Sequence, residues 1–225
     1  MAVFGLACEG PSDQITLEHM LLGVFEELND DDIAHVQPMF DKSDDPSKRK
    51  PGSWERLLEY LTTTRFKDDV AVHDFLIVHI DTDIARHVNA NIKVDDEHGN
   101  RLADVDIVNN TIARLIAQIN RSEDGYFESI KDKIIFAIMI NKLECWLLNT
   151  FIDDDQNVCK HDRCNDDLKE CLERVGGFPR LGKRTKIFDR ISRVYFEQPE
   201  LIDVLARRDV SFNMFVTRLK EAEIS

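Results

Sequence analysis

Three stretches of the sequence place carboxylates where an apolar run stops. CEGPSD (8–13) sets Glu9 directly after the run AVFGLAC, with Asp13 close behind. HDFLIVHIDTD (73–83) ends in Asp81 and Asp83, and KIIFAIMI (133–140) leads into NKLECWLLN, which carries Glu144. If these runs are neighbouring buried strands, Glu9, Asp13, Asp81, Asp83 and Glu144 converge on one edge. Crowded carboxylates repel, and some take up protons unless a cation neutralises them. An all-oxygen set suits Mg²⁺, Mn²⁺ or Ca²⁺ better than Zn²⁺; Mg²⁺ takes one or two carboxylates beside waters and substrate phosphates. Phosphodiester hydrolysis needs what such an ion supplies, an activated water and stabilisation of developing charge. In an extended DTD, Asp81 and Asp83 face one way and Thr82 faces the packed side. The plain alternative is that each acid is an N-cap or first-turn residue favoured by a helix dipole.

Elements must hold these residues in place. Residues 2–8 read as a buried strand, broken by Gly10 and Pro11. Ser12 then suits the N-cap of a helix over about 13–28, with Ile15, Leu17, Leu21, Leu22, Phe25 and Leu28 as its apolar stripe. IAHVQPMF (33–40) is a second strand that Pro38 assigns to an edge or an end. DKSDDPSKRKPGS (41–53) is loop-like, and SWERLLEYLTTTRF (53–66) reads as one helix. The third strand (73–81) precedes a polar excursion (86–103) and a helix (103–120). The fourth strand (133–140) is followed by a helix over 141–149, and about 160–225 reads as three or four short helices. Apolar strands alternating with helices predict an α/β fold, a mostly parallel sheet of about four strands flanked by helices. In such sheets ligands bind at the carboxyl ends of the strands. The expected division is an α/β domain over 1–152 and a helical C-terminal extension over 153–225.

CEGPSD, an apolar strand ending in Glu-Gly with Asp three residues after the glycine, resembles the opening motif of the Toprim domain. FLIVHIDTD resembles its later Asp-x-Asp motif, and Glu144 within LECWLL is like a glutamate of small stand-alone Toprim-related proteins. The resemblance covers about residues 2–150. It implies a Toprim/Rossmann-like fold and a metal-dependent nuclease similar to the overcoming-lysogenisation-defect nucleases. It further implies Glu9 as general acid/base or metal-positioning carboxylate, and Asp81 and Asp83 as ligands of Mg²⁺ or Mn²⁺. Asp13 would assist, and Glu144 would serve a second metal. The implied substrate is DNA or RNA, and the implied setting is a bacterial defence or toxin-like system. The alternative is a non-catalytic Toprim-like subunit docked on a partner such as an ATPase. A small-molecule phosphate enzyme would use the same carboxylates, but no distinctive phosphate loop is present. The long 86–103 excursion departs from the motif.

The net charge of −14, from 29 basic and 43 acidic residues, opposes broad binding to a phosphate backbone. One segment, FPRLGKRTKIFDRISRVYF (178–196), runs the other way, and its Lys183, Arg184, Lys186 and Arg190 are candidate nucleic-acid contacts. A solvated helix face is the plain alternative. No apolar run reaches the ~20 residues that span a bilayer, and the N-terminus lacks a basic n-region, so neither membrane nor signal peptide is expected. The odd count of five cysteines suits free thiols in a reducing cytoplasm. Cys159, His161, Cys164 and Cys171 fit zinc spacing poorly. His79 and His87, flanking DTD, could touch phosphate or move a proton, yet lone histidines there read as structural.

Overall fold

Four apolar runs form four strands: β1 (Phe4–Ala7), β2 (Ile33–Gln37), β3 (Phe75–Asp81) and β4 (Ile134–Met139). The computed structural model describes residues 2–39, 53–152, 163–176 and 185–222. All strand pairs are parallel, in the order β2-β1-β3-β4. The chain is thus an α/β protein with a four-stranded parallel sheet flanked by helices, and its C-terminal region is helical.

Strands this apolar need cover on both faces. Phe4, Leu6, Ile77, Ala137 and Met139 face one layer of helices: α1 (Pro11–Val24), α6 (Leu143–Thr150), α7 (Cys164–Val175), α8 (Thr185–Ser192), α9 (Val194–Glu197), α10 (Glu200–Arg208) and α11 (Val210–Lys220). Leu76, Val78, Ile80 and Ile138 face the other, made by α2 (Trp54–Tyr60), α3 (Thr64–Val72), α4 (Asp104–Ile119) and α5 (Tyr126–Ile130). The C-terminal helices therefore share one core with the sheet. Trp146 of α6 lies edge-on to Phe212 (4.9 Å between centroids) and stacks on Phe215 (5.7 Å) of α11. Its indole N–H donates to Ser211 Oγ at 2.9 Å. Gly23 lets α1 close on α9, because a Cβ there would lie 2.1 Å from the Tyr195 carbonyl oxygen.

Several boundaries differ from expectation, each for a local reason. Helix α1 starts at Pro11 with Gly10 as N-cap, so Ser12 lies inside the first turn instead of capping it. Proline suits that first position, where no N–H is needed. The single helix expected over 53–66 is two, because Thr63 caps the second: its Oγ1 donates to Tyr60 O at 2.7 Å and accepts from Phe66 N at 3.2 Å. Strand β2 stops at Gln37, where its register with β1 shifts and a cis peptide leads into Pro38. Short α5 was not foreseen; five residues carry too little periodicity.

The cysteines are not all free thiols. Cys145 and Cys164 form a disulfide between α6 and α7, with Cα atoms 4.9 Å apart. Helix packing brings together residues 19 apart in the chain, which spacing alone does not reveal. The thiol count therefore carries nothing about a reducing compartment. Cys8 and Cys171 are free and buried. Among the described residues, no helix is long and apolar enough to cross a membrane.

Candidate functional site

Strand order reverses between β1 and β3: the chain leaves β1 toward β2 on one side and later returns to β3 on the other. At such a switch point the carboxyl ends of the strands open a crevice. β3 continues past Val78, the partner of Ala7, to Asp81. That overhang places the Asp81 N–H where it donates to Glu9 Oε1 at 2.7 Å. On α1, the Gly10 N–H donates to Asp13 Oδ2 at 2.7 Å and turns this carboxylate back toward the sheet. His79 precedes Asp81 by two residues and shares its strand face. It is fully buried, with Nδ1 3.7 Å from Asp13 Oδ2 and Nε2 3.3 Å from Asp81 Oδ1.

Burial dominates the electrostatics. It pushes the Glu9 carboxyl up to about 9; the Asp81 charge adds to this and the Asp81 N–H opposes it. Asp13 rises to about 7 through burial, with Asp81 adding and His79 and the Gly10 N–H opposing. Asp81 is raised well above the carboxylate range, first by burial and then by Asp83 and Glu144, against Lys142 and the Leu143 N–H. Burial holds His79 toward its neutral form, with Asp13 opposing. The Cys8 thiol beneath them is pushed up by burial and by the same three acids. This edge therefore favours bound protons over charge unless a cation arrives.

Asp83 and Glu144 stand at the flank. After β3 the backbone does not stay extended; it enters a 3-10 turn (Thr82–Arg86). Thr82 is buried as expected, and its Oγ1 accepts from Asn141 N at 2.7 Å. Asp83 N donates to Asn141 O at 3.0 Å, and Asp83 Oδ2 lies 3.1 Å from Lys142 Nζ. Asn141 itself adopts φ 64°, the left-handed region that asparagine tolerates better than most residues. Glu144 sits in the first turn of α6. Sequence reasoning missed Asn141 and Lys142, although both stand in NKLE between the fourth apolar run and Glu144. His79, weighed there for phosphate contact or proton transfer and read as structural, stands on the strand face of Asp81.

The donor set suits a hard divalent cation. Asp81 Oδ1 is buried without a hydrogen-bond partner, which leaves the carboxylate short of one contact. Among the described residues, no three His, Cys, Asp or Glu side chains converge as a metal cage. Mg²⁺ needs no such cage, because it keeps several waters and takes one or two carboxylates. Asp81, Glu9 and Asp13 are the carboxylates gathered at this edge, and Asp83 and Glu144 are the neighbouring acids.

The other candidates separate clearly. Lys183 and Arg184 lie outside the described residues, while Lys186 and Arg190 are exposed on α8. Cys164 is engaged in the disulfide, and Cys159 and His161 lie outside the described residues, so no zinc site forms among those described. His87 packs edge-on against Trp54 at 5.2 Å. Compared with known families, characterised proteins and solved structures, the chain matches none.

Proposed function

We propose that the chain is a divalent-metal-dependent phosphodiesterase, a Toprim-like nuclease acting on DNA or RNA. The observation that carries this reading is the gathering of the buried carboxylates of Glu9, Asp13 and Asp81 at the strand-order switch. Asp81 and Asp13, with Asp83 and Glu144 as neighbouring acids, would hold Mg²⁺ or Mn²⁺. Bound there, the ion would supply an activated water and charge stabilisation at the phosphate. Glu9, whose proton burial favours in the metal-free chain, would be the group to give a proton to the leaving oxygen. Lys142, beside Asp83, offers a positive charge to a substrate phosphate. The exposed Lys186 and Arg190 add phosphate contacts against the net charge of −14, so activity should fall steeply with salt.

The test is cleavage of plasmid, single-stranded DNA and RNA with Mg²⁺ or Mn²⁺, comparing wild type with Asp81→Ala and Glu9→Ala. Both variants should lose activity by about 10²-fold or more. Cutting that survives both substitutions would place the chemistry elsewhere. Absence of both cutting and Mn²⁺ binding would favour the non-catalytic subunit that docks on a partner such as an ATPase.

A further inference from the structure

The buried histidines of this fold differ in how their nitrogens are satisfied. His73 Nδ1 bonds the Asp69 carbonyl at 2.6 Å, His19 Nδ1 bonds Ser192 Oγ at 2.7 Å, and His35 Nε2 bonds Glu18 Oε2 at 2.7 Å. His79 has no hydrogen bond at either nitrogen, although it is fully buried. Its nitrogens instead face two carboxylates: Asp81 Oδ1 lies within bonding distance of Nε2 at 3.3 Å but off the N–H direction, and Asp13 Oδ2 lies 3.7 Å from Nδ1. Asp81 Oδ1 is itself without a partner, whereas Asp13 Oδ2 already accepts from Gly10 N. Unmet buried polar groups are rare in native folds and call for a reason. Here a donor and an acceptor of complementary type stand within reach, and a small rotation of either side chain would align them.

We propose that His79 is a positioning residue of the carboxylate site: it donates from Nε2 to Asp81 Oδ1 and fixes the rotation at which Asp81 offers its other oxygen to a divalent cation. The assignment to Nε2 follows from geometry, because that nitrogen is nearer its carboxylate and meets the oxygen that lacks any other donor. Together with the Leu143 N–H, that bond fixes the carboxylate's rotation before the cation arrives, and partners of this kind typically set metal affinity by 10–100-fold. The inference rests on the metal-binding reading above.

Mn²⁺ alone is the probe, titrated by calorimetry into the full chain, with a thermal melt of every variant. His79→Leu should fold yet bind Mn²⁺ about 10–100-fold more weakly. His79→Gln carries an amide nitrogen near the Nε2 position and should recover most of that loss. His79→Asn places its amide near Nδ1, toward Asp13, and should not. ¹⁵N NMR of the histidine rings should show the Nε2–H tautomer at His79. Wild-type affinity in His79→Leu overturns the inference while leaving the metal reading intact. If His79→Leu fails to fold, Gln and Asn variants of equal affinity overturn it in the same way. A wild-type chain that binds no Mn²⁺ overturns both.

Discussion

The seam between α1 and α8 and the carboxyl edge of the sheet are both built around a buried histidine near carboxylates, and they solve the burial differently. At the seam, Ser192 donates to Phe188 O at 2.6 Å and accepts from His19 Nδ1 at 2.7 Å, with Asp189 3.7 Å from His19 Nε2. The residue types are those of a nucleophilic triad. Ser192 is nevertheless fully buried and its proton is committed to a helix carbonyl, so the group fastens two helices. At the edge, His79 and Asp81 have the same chemical capacity and leave it unused. Polar groups that are fully paired hold a fold together, while buried groups left short of pairing call for a functional reason.

Predictions follow from that contrast. The helical layer that contains the seam should tolerate losses in stability without altering the edge. Cys164→Ser opens the disulfide and releases a loop of 19 residues, which should cost about 3 kcal/mol in chemical denaturation while leaving Mn²⁺ affinity within about twofold. A matching loss of Mn²⁺ binding would show that the helical layer and the edge act as one unit.

The edge should respond to protons in the opposite sense from ordinary surface acids. Glu9 and Asp13 hold protons in the folded state, to about 9 and about 7, that the unfolded chain has already released. The folded form thus binds more protons, and its stability falls as pH rises through those values. His79 acts in the reverse direction, but only below its unfolded value near 6.5. Asp81, raised as well, acts in the same direction, so from pH 7 to 8.5 the metal-free chain should lose about 2 kcal/mol or more, measured as a falling melting temperature. Glu9→Gln should flatten that slope, and a melting temperature that rises with pH in the wild type would contradict the assignment.

The remaining effects belong to the contacts of α1 with α8 and α9. Gly23→Ala drives a methyl into the Tyr195 carbonyl and should cost about 1–3 kcal/mol. Ser192→Ala should cost about 1 kcal/mol, since His19 loses one buried partner. Nuclease activity that vanishes in Ser192→Ala at unchanged stability would move the chemistry from the edge to the seam.

Much of this organisation was legible in the sequence. The four apolar runs stop where charge, glycine or proline begins, so strand existence and the parallel arrangement could be read from run length and the alternation with helices. Glu9, Asp13 and Asp81 could be placed at one edge because parallel strands put all their carboxyl ends together. Thr63 as a cap, Pro11 as the first helical residue and the turn after Asp81 depend on single hydrogen bonds and escaped the periodicity. The Cys145–Cys164 pair escaped because its two residues meet only when α6 and α7 pack.

By itself, then, the sequence determined which residues are apolar, in what period, and which acids follow them. Those features set the strands, the helices and the common edge, because local periodicity and the parallel connection rule act along the chain. The tertiary structure alone decided which polar atoms are paired. It commits Ser192 to a helix carbonyl, gives Asp83 to Lys142, and leaves His79 and Asp81 Oδ1 buried and unmatched. Hydrogen bonding depends on distances of a few tenths of an ångström between residues far apart in the chain, and only packing sets those distances.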